Sequence, residues 1–117
     1  MIKILFKKSQ DGKSFICEIS GHAGQNETGM DIICSASSIL AFTLAQNVVD
    51  SNKEGKLSKK PTIELKEGWA KIVAKPKKDY VAEILNEFIS IKRGYELLAI
   101  NYPQYVQFDK PQGFQNK

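Results

Sequence analysis

Two stretches near the start, Ile2–Lys8 (IKILFKK) and Ser14–Ser20 (SFICEIS), carry the two-residue period of half-buried strands. In the second, Phe15, Cys17 and Ile19 share one face, and Ile16, Glu18 and Ser20 share the other. Asp11-Gly12 between the two stretches is a hairpin signal, because glycine adopts positive φ without steric cost. From Ile32 to about Ser51 the period turns helical. Ile33, Ser37, Leu40, Leu44 and Val48 recur at spacings of three and four, supported by Ala36, Ala41 and Ala45. Ile39, Phe42 and Val49 fall outside that stripe, so the helix needs cover on more than one side, from the core or from a second copy. SNKEGKLSKKP ends it with Gly, Lys and Pro.

TIEL and WAKIVAK around Lys66-Glu67-Gly68 read as a second hairpin. A second helix from about Asp79 to Ile100 carries a one-sided stripe of Val81, Ile84, Leu85, Phe88, Ile91, Tyr95 and Leu98. Gly94 within it costs about 1 kcal/mol relative to alanine and marks a bend. QYVQF reads as a last edge strand and DKPQGFQNK as a loose tail. The order ββαββα(β) lacks the strand–helix alternation of a parallel doubly wound sheet. It predicts an α+β, two-layer fold with a mostly antiparallel sheet and two helices. Residues 1–109 form one domain in this reading, with 110–117 as the tail.

Composition narrows the class. At 117 residues the chain supports one core. Its 42% hydrophobic and 26% charged content is ordinary for a soluble fold. No apolar run reaches the roughly 18 residues of a membrane span, and MIKILFKKSQ turns polar too early for a signal peptide. The expectation is a cytoplasmic protein without membrane contact, its two cysteines, Cys17 and Cys34, reduced and free. Cys17, on the apolar face of its strand, is read as packing. The net charge is +4, with lysines gathered in KEGKLSKK and KPKK. Such clusters are ordinary solvated surface, or they aid approach to RNA, a ribosome or an acidic partner, and they support a second reading of the chain as a small basic, non-enzymatic ribosome- or RNA-associated module.

The chemistry concentrates in residues 21–38, GHAGQNETGMDIICSASS. His22, the chain's only histidine, closes the second strand, and Cys34 follows twelve residues later. Gly21, Gly24 and Gly29 bracket a polar connection of a kind suited to movement. Asp31 stands immediately before the helical pattern as a natural N-cap, which puts Cys34 at the third helical position with an orphan N–H. The helix dipole there favours thiolate, the Asp31 charge opposes it, and His22 is the only imidazolium available. This is an arrangement for cysteine-based acyl transfer: thiolate attacks a carbonyl, histidine returns the proton, and N–H groups at the helix start hold the oxyanion. Two other readings fit the same residues. One is plain packing of a turn histidine and a core cysteine. The other is zinc held by Cys17, His22 and Cys34 with Asp31, for which no CxxC or HxxxH spacing speaks. A cap at Asp31 is worth about 1 kcal/mol against alanine.

GHAG, Glu27, Gly29, DIIC and Ser38 together resemble the signature of the ribosomal-processing cysteine protease family, Prp. That pattern is Gly-His-Ala, a short Gly-containing loop, then Asp-Ile-(Val/Ile)-Cys, small residues and a Ser. Gly21, His22, Ala23, Gly24, Gly29, Asp31, Ile32, Ile33, Cys34, Ala36, Ser38 and Leu40 fit it, and the likeness spans nearly the whole chain. The resemblance implies a cytoplasmic bacterial endopeptidase, active as a homodimer, that calls for no cofactor or metal. Its implied substrate is the N-terminal extension of bacterial large-subunit ribosomal protein twenty-seven, cut after a hydrophobic stretch ending in paired aromatic residues. Carried over, Cys34 is the nucleophile and His22 the general base and acid. Asp31 is then a cap or conformational support, and Ser38, one turn beyond Cys34, a supporting hydrogen bonder. The loop that includes Ala23, Gly24 and Gly29 covers the site and moves to admit peptide. Where the family loop often carries aromatic residues, this chain has Gln25 and Thr28.

Overall fold

A computed structural model describes residues 1–22 and 30–109 of the chain. The elements are β1 (Ile2–Lys8), β2 (Phe15–Ser20), α1 (Met30–Lys53), β3 (Thr62–Lys66), β4 (Trp69–Ala74), α2 (Val81–Asn101) and β5 (Val106–Phe108). One 3₁₀ turn, Lys78–Tyr80, leads into α2. This is the α+β fold that the period changes predict. The five strands form one sheet in the order β3-β4-β2-β1-β5, antiparallel except where β5 runs parallel to β1. The tail 110–117 and residues 23–29 of the loop expected to cover the site lie outside the described residues.

Strand alternation decides which face of the sheet carries the helices. Ile2, Ile4 and Phe6 of β1, Phe15, Cys17 and Ile19 of β2, and Ala70, Ile72 and Ala74 of β4 are all buried. They meet Ile33, Ala41, Leu44, Ala45 and Val48 of α1 and Ile84, Phe88, Ile91 and Tyr95 of α2 in a single core. By composition and length alone α1 is apolar enough to cross a bilayer; one stripe of it is buried in this core, while Ile32, Ile39 and Phe42 are exposed.

The two helices are fixed to each other by a polar clamp in the core. The fully buried Tyr95 hydroxyl donates to the Ser37 carbonyl at 2.6 Å, and the Ser37 hydroxyl lies 3.3 Å from the same phenol oxygen. A buried phenol needs such a partner, because its desolvation otherwise goes uncompensated. Beside it Gly94 lets α1 come close: a Cβ there would stand 2.5 Å from Leu40 Cδ2. Gly94 is thus a contact point between helices, and α2 runs through it unbroken from Val81 to Asn101.

α1 begins at Met30, two residues before the Ile32 start that an Asp31 cap predicts. Met30 is already helical, so Asp31 belongs to the first turn and is not the N-cap. Sequence alone does not separate the two, since a carboxylate is favourable both as a cap and in the first turn. The shift has consequences. Cys34 becomes the fifth helical residue, its N–H is in register for the Met30 carbonyl, and the orphan donors move to Met30, Asp31 and Ile32. Asp31→Ala is accordingly expected to cost about 0.5 kcal/mol, the dipole contribution of an exposed first-turn carboxylate. Urea denaturation measures it, and a loss of about 1 kcal/mol or more would restore the cap.

Candidate active site

The strand end that carries His22 is held in place by main-chain contacts. Gly21, at φ +95°, donates its N–H to the Gly68 carbonyl at 3.0 Å. The Met1 amino group donates to the His22 carbonyl. The imidazole then lies over Gly68, the second residue of the β3–β4 turn: a Cβ at Gly68 would stand 2.7 Å from His22 Nε2. Gly68 has φ +74°, as the tight turn between Lys66 and Trp69 requires. One small residue therefore serves both the turn and the histidine.

Facing this strand end is the beginning of α1. A cleft of about 470 Å³ lies between them, and both His22 and Cys34 line it. Ile2 and Ile19 lie at its base, Ser38 and Phe42 continue the α1 wall beyond Cys34, and Leu65 with the residues of the β3–β4 turn lies across from them. Cys34 is partly exposed and His22 exposed, so both are open to a ligand. The Trp69 indole N–H donates to Glu64 Oε1 at 3.2 Å across the β3–β4 hairpin, on the sheet face away from the helices.

The structure sorts the residues singled out in the sequence. His22, Cys34 and Ser38 come together in one cleft. Asp31 is exposed and does not line it. Of the two adjacent serines beyond Cys34, Ser37 makes a buried hydrogen bond, with Tyr95, while Ser38 is exposed at the cleft wall. Ala23, Gly24 and Gly29 lie outside the described residues, as do Gln25 and Thr28. Cys17 is fully buried on the core face of β2, and burial, with the Glu18 charge a lesser cause, pushes its thiol well above the usual range. Such a thiol stays protonated and inert, in keeping with a packing role. Among the described residues no group of three or more His, Cys, Asp or Glu is placed to hold a metal ion.

Several cleft residues were not singled out as functional. Phe42 had a signal, since it falls outside the buried stripe of α1 and is 52% exposed. Leu65, Gly68 and Trp69 had none, because their place beside Cys34 depends on the order of strands in the sheet.

The model of the family described as cysteine protease Prp matches residues 1–107. The chain belongs to the cysteine protease Prp family. No curated protein matches it. Among solved structures it is similar to the essential ribosomal processing protease Prp from S. aureus in complex with a substrate peptide. Identity to that chain is 16%, with 93% of this chain and 98% of that one covered, at a TM-score of 0.68. The S. aureus protease with a covalently linked product peptide gives 18% identity, the same coverage and a TM-score of 0.66. SMU.848 from Streptococcus mutans gives 22% identity, 96% and 95% coverage and a TM-score of 0.65. These likenesses extend the α+β fold to the whole Prp chain. Family membership makes the protein a cysteine protease, which sets aside the non-enzymatic reading of its basic composition.

Proposed function

We propose that this Prp-family protease is a ribosomal-processing endopeptidase in which Cys34 is the nucleophile and His22 the general base and acid. The observation that carries the assignment is that the only histidine and the one cysteine outside the core line the same cleft. In the reaction, His22 takes the Cys34 proton and the thiolate sulfur adds to the scissile carbonyl. The collapsing intermediate expels the amine, which leaves with the proton returned by His22, and an acyl-enzyme remains. Water, deprotonated by the same imidazole, then releases the acid. Free N–H groups in the first turn of α1 are suited to the developing oxyanion. Ser38 supports the nucleophile from one turn further along the cleft wall.

The substrate in this reading is the N-terminal extension of bacterial large-subunit ribosomal protein twenty-seven, processed in the cytoplasm without a cofactor. A related protease solved with a substrate peptide supports a peptide ligand. The apolar surface at Phe42 and Leu65 suits a hydrophobic stretch before the cut. A homodimer completes the proposal, supported by exposed apolar residues on the helix layer: Ile32 at 70%, Ile39 at 59%, Leu97 at 61% and Ile100 at 73%. Proximity to the ribosome or its RNA has support of its own. The two lysine-rich segments meet at the end of the fold away from Cys34, where Lys77 N–H donates to the Lys56 carbonyl and Ser58 N–H to the Lys75 carbonyl.

The test of the nucleophile is labelling by a peptide chloromethyl ketone with peptide mapping. The expected adduct is on Cys34, with Cys17 unmodified in the folded protein. An adduct on Cys17 alone, or none under conditions where the peptide is cleaved, would overturn the assignment.

A further inference from the structure

β3 is the outer strand on one side of the sheet, and the direction of its main-chain groups follows from one hydrogen bond. Gly21 N–H donates to Gly68 C=O, which makes Gly21 and Gly68 a hydrogen-bonded pair on the line of the β2–β4 ladder. Such pairs alternate along an antiparallel ladder. Ala70 and Ile72 therefore turn their N–H and C=O groups toward β2, and Trp69, Lys71 and Val73 turn theirs toward β3. Their β3 partners are Lys66, Glu64 and Thr62. Ile63 and Leu65 are left with main-chain donors and acceptors on the outer edge, about 7 Å apart at the rise of an extended strand.

That edge leads into the cleft. Leu65 is 41% exposed and lines the same space as Cys34, and Ser38 and Phe42 of α1 form the facing wall. An extended chain laid along β3 thus passes between the strand edge and the helix that carries the nucleophile.

We propose that the β3 edge is the docking rail for the substrate's backbone. The occupant is the extended segment of the peptide next to the cut, which adds to the sheet as a further strand and exchanges main-chain hydrogen bonds with Ile63 and Leu65. This rests on the protease reading of Cys34 and extends it. The rail fixes the direction and depth of the chain through atoms that every peptide has. The side chains of the cleft then add preference for particular residues. Because strand contacts repeat every second residue, only alternate amides of the substrate are used.

The experiment takes a peptide spanning the extension junction and N-methylates one backbone amide at a time. Two positions separated by one residue are expected to lose about tenfold each in kcat/KM, and the position between them less than about twofold. On the protein, Leu65→Pro removes an N–H that the β3–β4 ladder does not use, so the fold persists. KM should rise about tenfold beyond its value in Leu65→Ala, which trims the apolar wall but keeps the N–H, with kcat nearly unchanged. A parent peptide cut in a Cys34-dependent way with a flat N-methyl profile would overturn the rail and leave the protease reading standing. Leu65→Pro acting no differently from Leu65→Ala would do the same. Conversion of a dimer to a monomer by Leu65→Pro would assign the edge to a second copy. A parent peptide that is not cut at all removes both proposals.

Discussion

Gly68→Ala is expected to lower cleavage activity about a hundredfold while costing only about 1 kcal/mol of stability. The added methyl would sit 2.7 Å from His22 Nε2 and 3.2 Å from Cε1, too close for either to remain. The imidazole is the end of a flexible, exposed side chain, so it swings away and the backbone stays. The remaining cost is strain at φ +74°, a conformation that a Cβ disfavours. Loss of a positioned acid–base group accounts for the rate, since such groups contribute about a hundredfold or more. Steady-state kinetics and thermal melting separate the two effects. A variant with unchanged kcat/KM would show that the imidazole does not work from its place over Gly68.

Gly21→Ala should do the reverse in stability, with an expected cost of about 3 kcal/mol and a fall in Tm of about 10 °C. Here the new Cβ would collide with the Met1 carbonyl oxygen, which is backbone, at a residue with φ +95°. No side chain is available to swing aside. Relief requires the start of β1 to part from the end of β2, where Lys3 pairs with Ser20. Activity falls as well, since the same movement carries off His22. A Tm within about 2 °C of the parent protein would mean that this junction yields more easily than its contacts imply. Two glycines that flank one histidine thus separate a requirement of the fold from a requirement of the site.

The contrast also explains what was legible in the sequence. Alternation in SFICEIS placed Phe15, Cys17 and Ile19 in the core, and the three-and-four spacing of Ile33, Leu44 and Val48 oriented α1. These are local periods, and burial on one face enforces them. The start of α1 lies two residues before the Ile32 that an Asp31 cap implies, because an acidic side chain suits a cap and a first turn equally. Sheet order has no local signature. Gly68 and Trp69 lie more than forty residues from His22 in the chain and reach the cleft only because β4 pairs with β2. Phe42 lay between these cases: its exclusion from the buried stripe was visible, but the cavity it faces was not. His22 and Cys34 were readable from GHAG and DIIC as candidates that the fold brings to one cleft, and the turn beneath the histidine was not.

The most direct measurement is cleavage of a peptide spanning the N-terminal extension and the mature start of the ribosomal protein, followed by mass spectrometry. Wild type, Cys34→Ala and His22→Ala are compared at equal concentration. The expected result is a single cut by wild type, with activity reduced about a thousandfold or more in each variant. Cleavage by Cys34→Ala at the wild-type rate, or no cleavage by any of the three, would contradict the assignment of this cleft as the active site for that substrate.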